Sequence, residues 1–250
     1  MDFAFTADQL SIREAILKHC ARFSDEYWLE RDREGVFPQD FFQSLVDAGW
    51  LGIAMPAEYG GSGLGITEAA IMMQAIAESG AGMSGASSVH IPVFSVQPVV
   101  LFGTQAQKTR ILPNVVSGKD RVCFAVTEPN AGLNTTEIKT RAERCDGGYV
   151  VKGEKIWIST AQVANKMLLL ARTTPLEQVK RKTDGLSLFY TDLDRSKIEV
   201  RLIHKMGRHA VDSNMLFIED LRVPEEDRIG AEGEGFRLLL HGLNPERVLV

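Results

Sequence analysis

The chain has 250 residues, of which 44% are hydrophobic and 24% are charged. This composition excludes a disordered or collagen-like chain, and the length is sufficient for one or two domains with their own cores. The formal net charge is −5 and no basic block or stripe is present, which argues against nucleic acid as the main partner.

Helical patterns dominate the first 120 residues. Thr6 and Gln9 have the spacing of a capping box, in which each side chain bonds to the backbone N–H of the other residue. Apolar residues follow them at mostly helical intervals. Helices are therefore predicted after Thr6, over 38–48, over 67–78 and after a second capping box at Thr104 and Gln107.

The longest uncharged stretch, 79–107, invites comparison with a membrane span. It contains Pro92, Pro98 and several Ser and Gly residues. A bilayer span needs about 20 predominantly apolar residues. We therefore expect buried, irregular structure here and no membrane span.

After residue 120 the hydrophobic pattern changes to that of short strands joined by turns. Asp146-Gly147, between two alternating runs, is a strong hairpin signal. Many short strands of this kind favour a sandwich or a barrel. The predicted strands are 122–127, 138–143, 149–152, 156–159, 167–172, 185–191, 198–201 and 214–220.

Helices followed by strands indicate separate domains rather than alternating βαβ units. The expected fold is a multidomain α and β protein. An all-α N-terminal helical domain (1–120) precedes a β-barrel middle domain (121–230) and the start of a C-terminal helical bundle (231–250). The chain stops inside a helical pattern, so we expect it to be truncated. Without the bundle, the apolar stripe Phe236, Leu239, Leu240 and Leu243 is expected to be exposed.

The three cysteines, Cys20, Cys123 and Cys145, occur without a CxxC motif or a Cys/His pair. This sparse, odd-numbered set favours neither a disulfide framework nor a zinc site, and no residue is predicted to bind a metal. The first residues lack the features of a signal or transit peptide. We therefore expect a reducing compartment, the cytoplasm, or the mitochondrial matrix if the source is eukaryotic.

Two segments are candidates for a binding site. FAVTEPNAGLNTTEIKT (124–140) runs from a strand into a loop rich in hydroxyl groups and glycine, which suits a polar ring edge or a diphosphate. GEKIWIST (153–160) places Trp157 beside Ser159, and an indole face can stack on a planar cofactor. The pattern alone favours the simpler interpretation, a turn after an edge strand and a core tryptophan.

Five motifs in order resemble the acyl-CoA dehydrogenase family over essentially the whole chain. The resemblance implies an FAD between the middle and C-terminal domains, and implies that Trp157, Ile158 and Ser159 match the family's Trp-Ile-Thr at the flavin. It also implies cofactor contacts from Phe124, Ala125, Val126, Thr127, Gly132 and Leu133. The motifs are AMPAEYGGSG (54–63), GTQAQKTRILPNVVSGK (103–119), VTEPNAG (126–132), GEKIWIS (153–159) and LRVPEEDRIGAEGEGF (221–236).

One departure from the family pattern concerns Gly132-Leu133-Asn134, where the family usually has Gly-Ser-Asp. The side-chain hydrogen bond of the serine is lost at Leu133, while backbone contacts can persist. Leu133 is implied as a contact of both the cofactor and the substrate, and the change points to a different acyl group.

The implied reaction requires a carboxylate of raised pKa to remove a proton beside the thioester. The resemblance implies two positions for this glutamate. Most of the family place it late in the C-terminal domain, beyond residue 250. A minority place it just before an arginine in the helix that begins that domain, which here is Glu246 before Arg247. Alternatively, Asn244 caps a helix that starts at Pro245, and Glu246 only stabilises its first turn. Arg247 and Asn244 are implied substrate contacts, although Arg247 can equally be a surface cation.

The leading functional hypothesis is an FAD-dependent acyl-CoA dehydrogenase that forms a trans-2-enoyl-CoA. The resemblance implies an electron-transfer flavoprotein as acceptor and a homo-oligomer, a dimer or a tetramer. A flavin-dependent acyl-CoA oxidase or monooxygenase of the same fold is the first alternative. The second is a catalytically incomplete fragment or binding module.

Overall fold

The computed structural model describes residues 4–249; residues 1–3 and 250, at the ends of the predicted terminal domains, lie outside the described residues. Within the described residues, seven α-helices precede the strands and one follows them. The helices are α1 (Ala7–Cys20), α2 (Asp25–Glu34), α3 (Gln39–Asp47), α4 (Ile66–Ile76), α5 (Gly82–Ser95), α6 (Gln97–Phe102), α7 (Gln105–Val116) and α8 (Gly235–Leu249). The strands are β1 (Val122–Ala125), β2 (Arg141–Cys145), β3 (Gly148–Ser159), β4 (Lys166–Arg172), β5 (Leu186–Asp192), β6 (Ile198–Leu202), β7 (Ser213–Pro224) and β8 (Arg228–Ile229).

Both predicted capping boxes are present. At the start of α1, the Gln9 N–H donates to Thr6 Oγ1 (3.2 Å), and the Thr6 N–H donates to Gln9 Oε1 (3.1 Å). Thr104 and Gln107 form the same pair at the start of α7. These bonds satisfy backbone donors that the first helical turn leaves free, so each helix begins where its sequence predicts.

The segment 66–102 was predicted to be partly irregular, but it is almost entirely helical. By length and composition alone it qualifies as a membrane-spanning helix, yet 78% of its most apolar window is buried inside the protein. Gly80, with φ +88°, interrupts it between α4 and α5. The separate helices of 11 and 14 residues are shorter than the roughly 20 residues that cross a bilayer. The segment therefore forms the centre of the helical core.

His90 lies inside this core on α5 and is 9% exposed. Its Nδ1 donates to the Ser87 carbonyl (3.1 Å), and its ring packs against Phe94. Burial lowers the pKa of His90 to about 4, and the nearby positive charge of Arg208 acts in the same direction. The imidazole is therefore neutral at pH 7 in the folded protein.

We expect this histidine to make stability fall on acidification. Between about pH 6.5 and pH 4 the unfolded chain binds a proton that the folded protein does not, so the free energy of unfolding falls as the pH is lowered. The free energy of unfolding should fall by about 2 kcal/mol between pH 7 and pH 5. Urea unfolding of wild type and His90→Gln at both pH values measures it, with the exposed His204→Gln as control. An unchanged pH dependence in His90→Gln would contradict the expectation.

The strands form one mixed sheet in the order β6-β7-β3-β2-β4-β5-β8, and β1 pairs in parallel with β4. The prediction of a closed barrel was wrong. Closure would need hydrogen bonds between the edge strands β6 and β8, and among residues 4–249 no pairing joins them. The sheet instead curves around one apolar core to which all strands from β1 to β7 contribute.

The longest strands, β3 and β7, contain the main irregularities of the sheet. β3 was predicted as two strands, but it is one strand of 12 residues with two register shifts against β7. The first shift lies at Gly153, where an added Cβ would lie 2.3 Å from Thr140 Oγ1. Glycine is required there because the backbone before β2 passes directly against β3. The predicted hairpin at Asp146-Gly147 joins β2 to β3.

The final helix, α8, packs against the N-terminal helices and the sheet. Leu239 is completely buried and Leu243 is half-buried, so most of the apolar stripe expected to be exposed is covered; Leu240 is 37% exposed. An added Cβ on Gly242 would lie 3.3 Å from the Phe94 carbonyl oxygen of α5. The described residues contain this one helix after the sheet, rather than a bundle.

Candidate functional site

The predicted cofactor tryptophan lies on a β-bulge. Two residues of β3, Ile156 and Trp157, stand opposite a single residue of β7, Met215. Trp157 has φ +62° and its side chain is 60% exposed. A positive φ is unfavourable for a bulky residue, and such strain concentrates at functional sites. The bulge directs the indole outward, and Ser159, two residues on, lies on the same face of the strand.

The end of β1 is fixed to this bulge by the backbone. The Ile156 N–H donates to the Thr127 carbonyl oxygen (2.9 Å). Gly132 is also close, since a Cβ added to it would lie 3.7 Å from the Thr127 methyl carbon. The structure therefore brings together Thr127, Gly132 and Trp157, which the sequence separates by up to 30 residues.

Several hydrogen-bonding groups on this face have no partner in the protein. Within residues 4–249, neither the N–H and hydroxyl of Thr127 nor the hydroxyl of Ser159 makes a hydrogen bond. The backbone N–H groups of Gly132, Leu133 and Asn134 likewise donate to no protein atom. The Leu133 side chain is fully exposed. An exposed indole beside free donors fits a planar ligand with acceptor atoms along one edge.

The other predicted cofactor residues are mostly covered. Ala125 and Ile158 belong to the core enclosed by the sheet, and Val126 packs toward the helices. Any contact of these three with a cofactor must come mainly from their backbone. Phe124 is half-buried, and its ring centroid lies 5.1 Å from that of Phe94.

Two residues of this site were missed by the sequence analysis, Lys155 and Glu128. Lys155 is completely buried, and its Nζ lies 2.9 Å from Glu128 Oε1. Burial lowers the pKa of Lys155 to about 8, although the Glu128 charge opposes the shift. Burial alone would raise the pKa of Glu128, but Lys155 and the hydrogen bonds from Lys139 and Thr140 together leave it lowered. The sequence does indicate that Lys155 is buried. Side chains alternate between the two faces of β3, and Lys155 shares the inward face with Tyr149 and Val151.

Glu246 is not in a first helical turn. The Asn244-Pro245 pair was expected to permit a helix start, but α8 runs unbroken from Gly235 and carries Pro245 inside it. Glu246 follows Leu239 and Gly242 and precedes Leu249 at intervals of three and four residues, so it lies on the buried stripe of α8. Packing of this stripe outweighs the local start signal. The side chain is half-buried, and within residues 4–249 its carboxylate makes no hydrogen bond or ion pair.

The contacts of α8 relate Glu246 to the end of β1. Gly242, one turn before Glu246, packs on Phe94, and the Phe94 ring contacts Phe124. Leu249 joins the same apolar core as Phe94. The carboxylate is thus carried by the helix face that packs on α5, and α5 in turn contacts β1 through Phe94 and Phe124.

Asn244 and Arg247 lie on the other side of α8 and are exposed. Arg247 Nη1 donates to the Leu243 carbonyl of its own helix (3.0 Å). Their predicted role as substrate contacts remains a prediction. A cavity of about 610 Å³ lies between residues 33–37, where α2 ends, and the 202–212 segment, and none of the predicted site residues lines it.

Comparison with known proteins connects this geometry to a family. A model described as the acyl-CoA dehydrogenase N-terminal domain matches residues 6–119, and one described as the acyl-CoA dehydrogenase middle domain matches residues 123–221. The chain belongs to the acyl-CoA dehydrogenase family. Its expected resemblance is thereby confirmed, as is the order of a helical region followed by a sheet domain.

Proteins similar to this chain match it over almost its whole length. Acyl-CoA dehydrogenase FadE12 of Mycobacterium tuberculosis is 30% identical over 99% of this chain and 62% of its own length. A glutaryl-coenzyme A dehydrogenase solved with glutaryl-CoA is 26% identical, with a TM-score of 0.91 over 99% of this chain and 62% of its own. PigA in complex with FAD is 25% identical, with a TM-score of 0.88 over 100% of this chain and 65% of its own length. The chain spans about three fifths of the length of the curated relatives it matches.

Proposed function

We propose that the protein is an FAD-dependent acyl-CoA dehydrogenase that converts an acyl-CoA thioester into a trans-2-enoyl-CoA. The observation that carries this proposal is the Glu246 carboxylate, which is half-buried and unpaired within residues 4–249 on the helix face that packs on α5. Membership of the family supports the class of reaction, an oxidation by a flavoprotein. The relative solved with glutaryl-CoA supports a thioester substrate.

FAD fits the donors on the exposed face of the bulge. Thr127 offers an N–H and a hydroxyl, and Ser159 offers a hydroxyl, at the edge of a surface that carries the Trp157 indole. These groups match the acceptor atoms along a flavin edge and the flat surface of its ring. The free N–H groups of Gly132 to Asn134 are suited to the anionic or carbonyl oxygens of a ligand.

The bound FAD supplies the acceptor for the hydride that leaves the β-carbon of the acyl group. Glu246 takes the proton from the α-carbon, and its carboxylate has no partner within residues 4–249 that would compete for it. Negative charge then develops on the thioester oxygen, which needs preorganised donors. The exposed indole of Trp157 would cover one side of a bound flavin ring and exclude water from it.

The partners follow from the same proposal. The acyl-CoA is the substrate, and an electron-transfer flavoprotein receives the electrons. We propose a homo-oligomer, a dimer or a tetramer, in a cytoplasmic or mitochondrial-matrix compartment. Light scattering on the purified protein measures the oligomeric state.

The first experiment is the visible absorption spectrum of the purified protein after FAD has been added and excess removed. A retained flavin band, followed by bleaching when acyl-CoA is added without oxygen, is the expected result. A panel of straight, branched and aromatic acyl-CoA esters with an artificial dye acceptor then identifies the substrate class. Failure of the protein to retain flavin would contradict the proposal.

Oxidase activity is measured in the same samples. Reduced flavin of a dehydrogenase should persist in air when the product is bound, and hydrogen peroxide should not accumulate at the rate of turnover. Peroxide formed in step with substrate would instead identify the oxidase of the same fold.

A further inference from the structure

The most unusual feature of the sheet is a seam where β1 leaves it and β2 takes its place. Both strands pair with the same edge of β4, β1 up to Ala125 opposite Leu169 and β2 only at Arg141 opposite Arg172. Between these points, the Leu170 carbonyl has no strand beside it. A gap in a buried sheet leaves backbone acceptors without donors, which is costly unless a side chain supplies them.

Lys155 fills this seam. Its Nζ donates to the carbonyls of Leu170 (2.8 Å) and Val126 (3.0 Å) and to Glu128 Oε1 (2.9 Å). An ammonium group has three N–H donors, so each is used once. The lysine therefore joins the end of β1 to β4 where the ladder of backbone hydrogen bonds stops.

Glu128 closes the loop that follows β1. Its carboxylate accepts the N–H of Lys139 (2.6 Å) and the N–H of Thr140 (2.9 Å). The first residue of the 128–140 loop is thus bonded to the last two. These bonds hold the base of the loop, while the N–H groups of Gly132 to Asn134 at its far end stay free.

The result is a rigid frame around Thr127. Lys155 holds the residues on both sides of it, through the Val126 carbonyl and the Glu128 carboxylate, and the Ile156 N–H holds its own carbonyl. The N–H and hydroxyl of Thr127 form no hydrogen bond within residues 4–249. Lys155 is also two residues before Trp157, so one strand supplies both the frame and the exposed indole.

We propose that the buried Lys155–Glu128 pair is a positioning device, which fixes the 128–140 loop and presents Thr127 to the flavin without touching it. The presentation of Thr127 to the flavin rests on the proposed function, whereas the fixing of the 128–140 loop does not. A buried ion pair is often no more stable than an apolar pair of the same shape, so global stability does not account for it. A role in fixing a ligand-binding loop accounts for the presence of the pair.

The test compares wild type with Lys155→Met/Glu128→Leu in the full-length protein. Replacing both residues avoids the buried, unpaired charge that Lys155→Met alone would leave and that would endanger folding. Lys155→Met/Glu128→Gln keeps one acceptor oxygen for the loop and is the conservative variant. The control is Lys152→Met/Asp220→Leu, which removes an exposed ion pair between β3 and its neighbour β7 (2.9 Å).

Amide hydrogen exchange is measured first, without flavin. In the double variant we expect the Lys139 and Thr140 amides to exchange at least about 10-fold faster, because each loses its hydrogen bond. The glutamine variant should be intermediate, and the control and the amides of β5 should match wild type. Loop exchange equal to wild type in the double variant would overturn the inference.

Flavin binding is measured second. We expect the dissociation constant for FAD to rise at least about 10-fold and the visible flavin band to shift in the double variant. A freed loop with unchanged affinity and an unchanged band would overturn the positioning role. If wild type retains no flavin, the proposed function fails, and the exchange experiment alone decides whether the pair fixes the loop.

Discussion

Glu246→Gln is expected to lower turnover of acyl-CoA by about 1,000-fold while FAD remains bound. The amide has nearly the shape of the carboxylate but cannot accept the α-proton. The half-buried, unpaired position of Glu246 within residues 4–249 implies that the substitution breaks no hydrogen bond or ion pair described there. Stopped-flow reduction of the bound flavin measures the chemical step directly.

The matched control is Glu234→Gln, at the start of the same helix. Glu234 is exposed and pairs with Arg237 (2.8 Å), so its loss should leave turnover close to wild type. Unfolding by urea should be similar for both variants. Full turnover in Glu246→Gln would place the base elsewhere and leave Glu246 with a structural role only.

Trp157→Ala is expected to weaken binding of FAD by roughly 30-fold, or about 2 kcal/mol. The side chain is 60% exposed in the structure, so little of the fold depends on it. The lost free energy comes from the contact of the indole with the flavin ring. Fluorescence titration with FAD measures the affinity, and Trp157→Phe should retain most of it because an aromatic face remains.

The backbone at Trp157 allows a second comparison. Its φ of +62° strains every residue except glycine, so Trp157→Gly should be more stable to urea than Trp157→Ala by about 1 kcal/mol. Both variants should bind FAD equally weakly. Leu202→Ala, another exposed apolar side chain of the sheet, serves as the control and should bind FAD normally. Wild-type affinity in Trp157→Ala would remove the indole from the cofactor site.

The amino-acid sequence by itself determined the local elements and the family. Capping boxes at Thr6 and Thr104 and the Asp146-Gly147 turn act through bonds between residues close in the chain, so their outcome does not depend on the rest of the fold. The alternation of apolar residues located the strands because it too is a pattern among residues close in the chain. The motifs around Thr127 and Trp157 indicated the family because a motif is recognised from the order of its residues in the chain, whatever those residues contact in the fold.

Local signals failed where packing between distant segments outweighed them. The Asn244-Pro245 pair permits a helix start, but the burial of Leu239, Gly242 and Leu249 continues α8 through it. Closure of a barrel depends on whether β6 meets β8, and these strands are separated by five others in the sheet order and by the long β7 in the chain. No pattern within either strand contains that information.

The candidate site shows the same division. The sequence supplied Thr127, Trp157 and Glu246 as candidates, and the inward phase of β3 supplied a buried position for Lys155. Only the tertiary structure decided what that lysine bonds to, because its three acceptors, on Val126, Glu128 and Leu170, come from two segments that meet at the seam of the sheet. A buried charge is stable only where such partners converge, and convergence is a property of the folded chain.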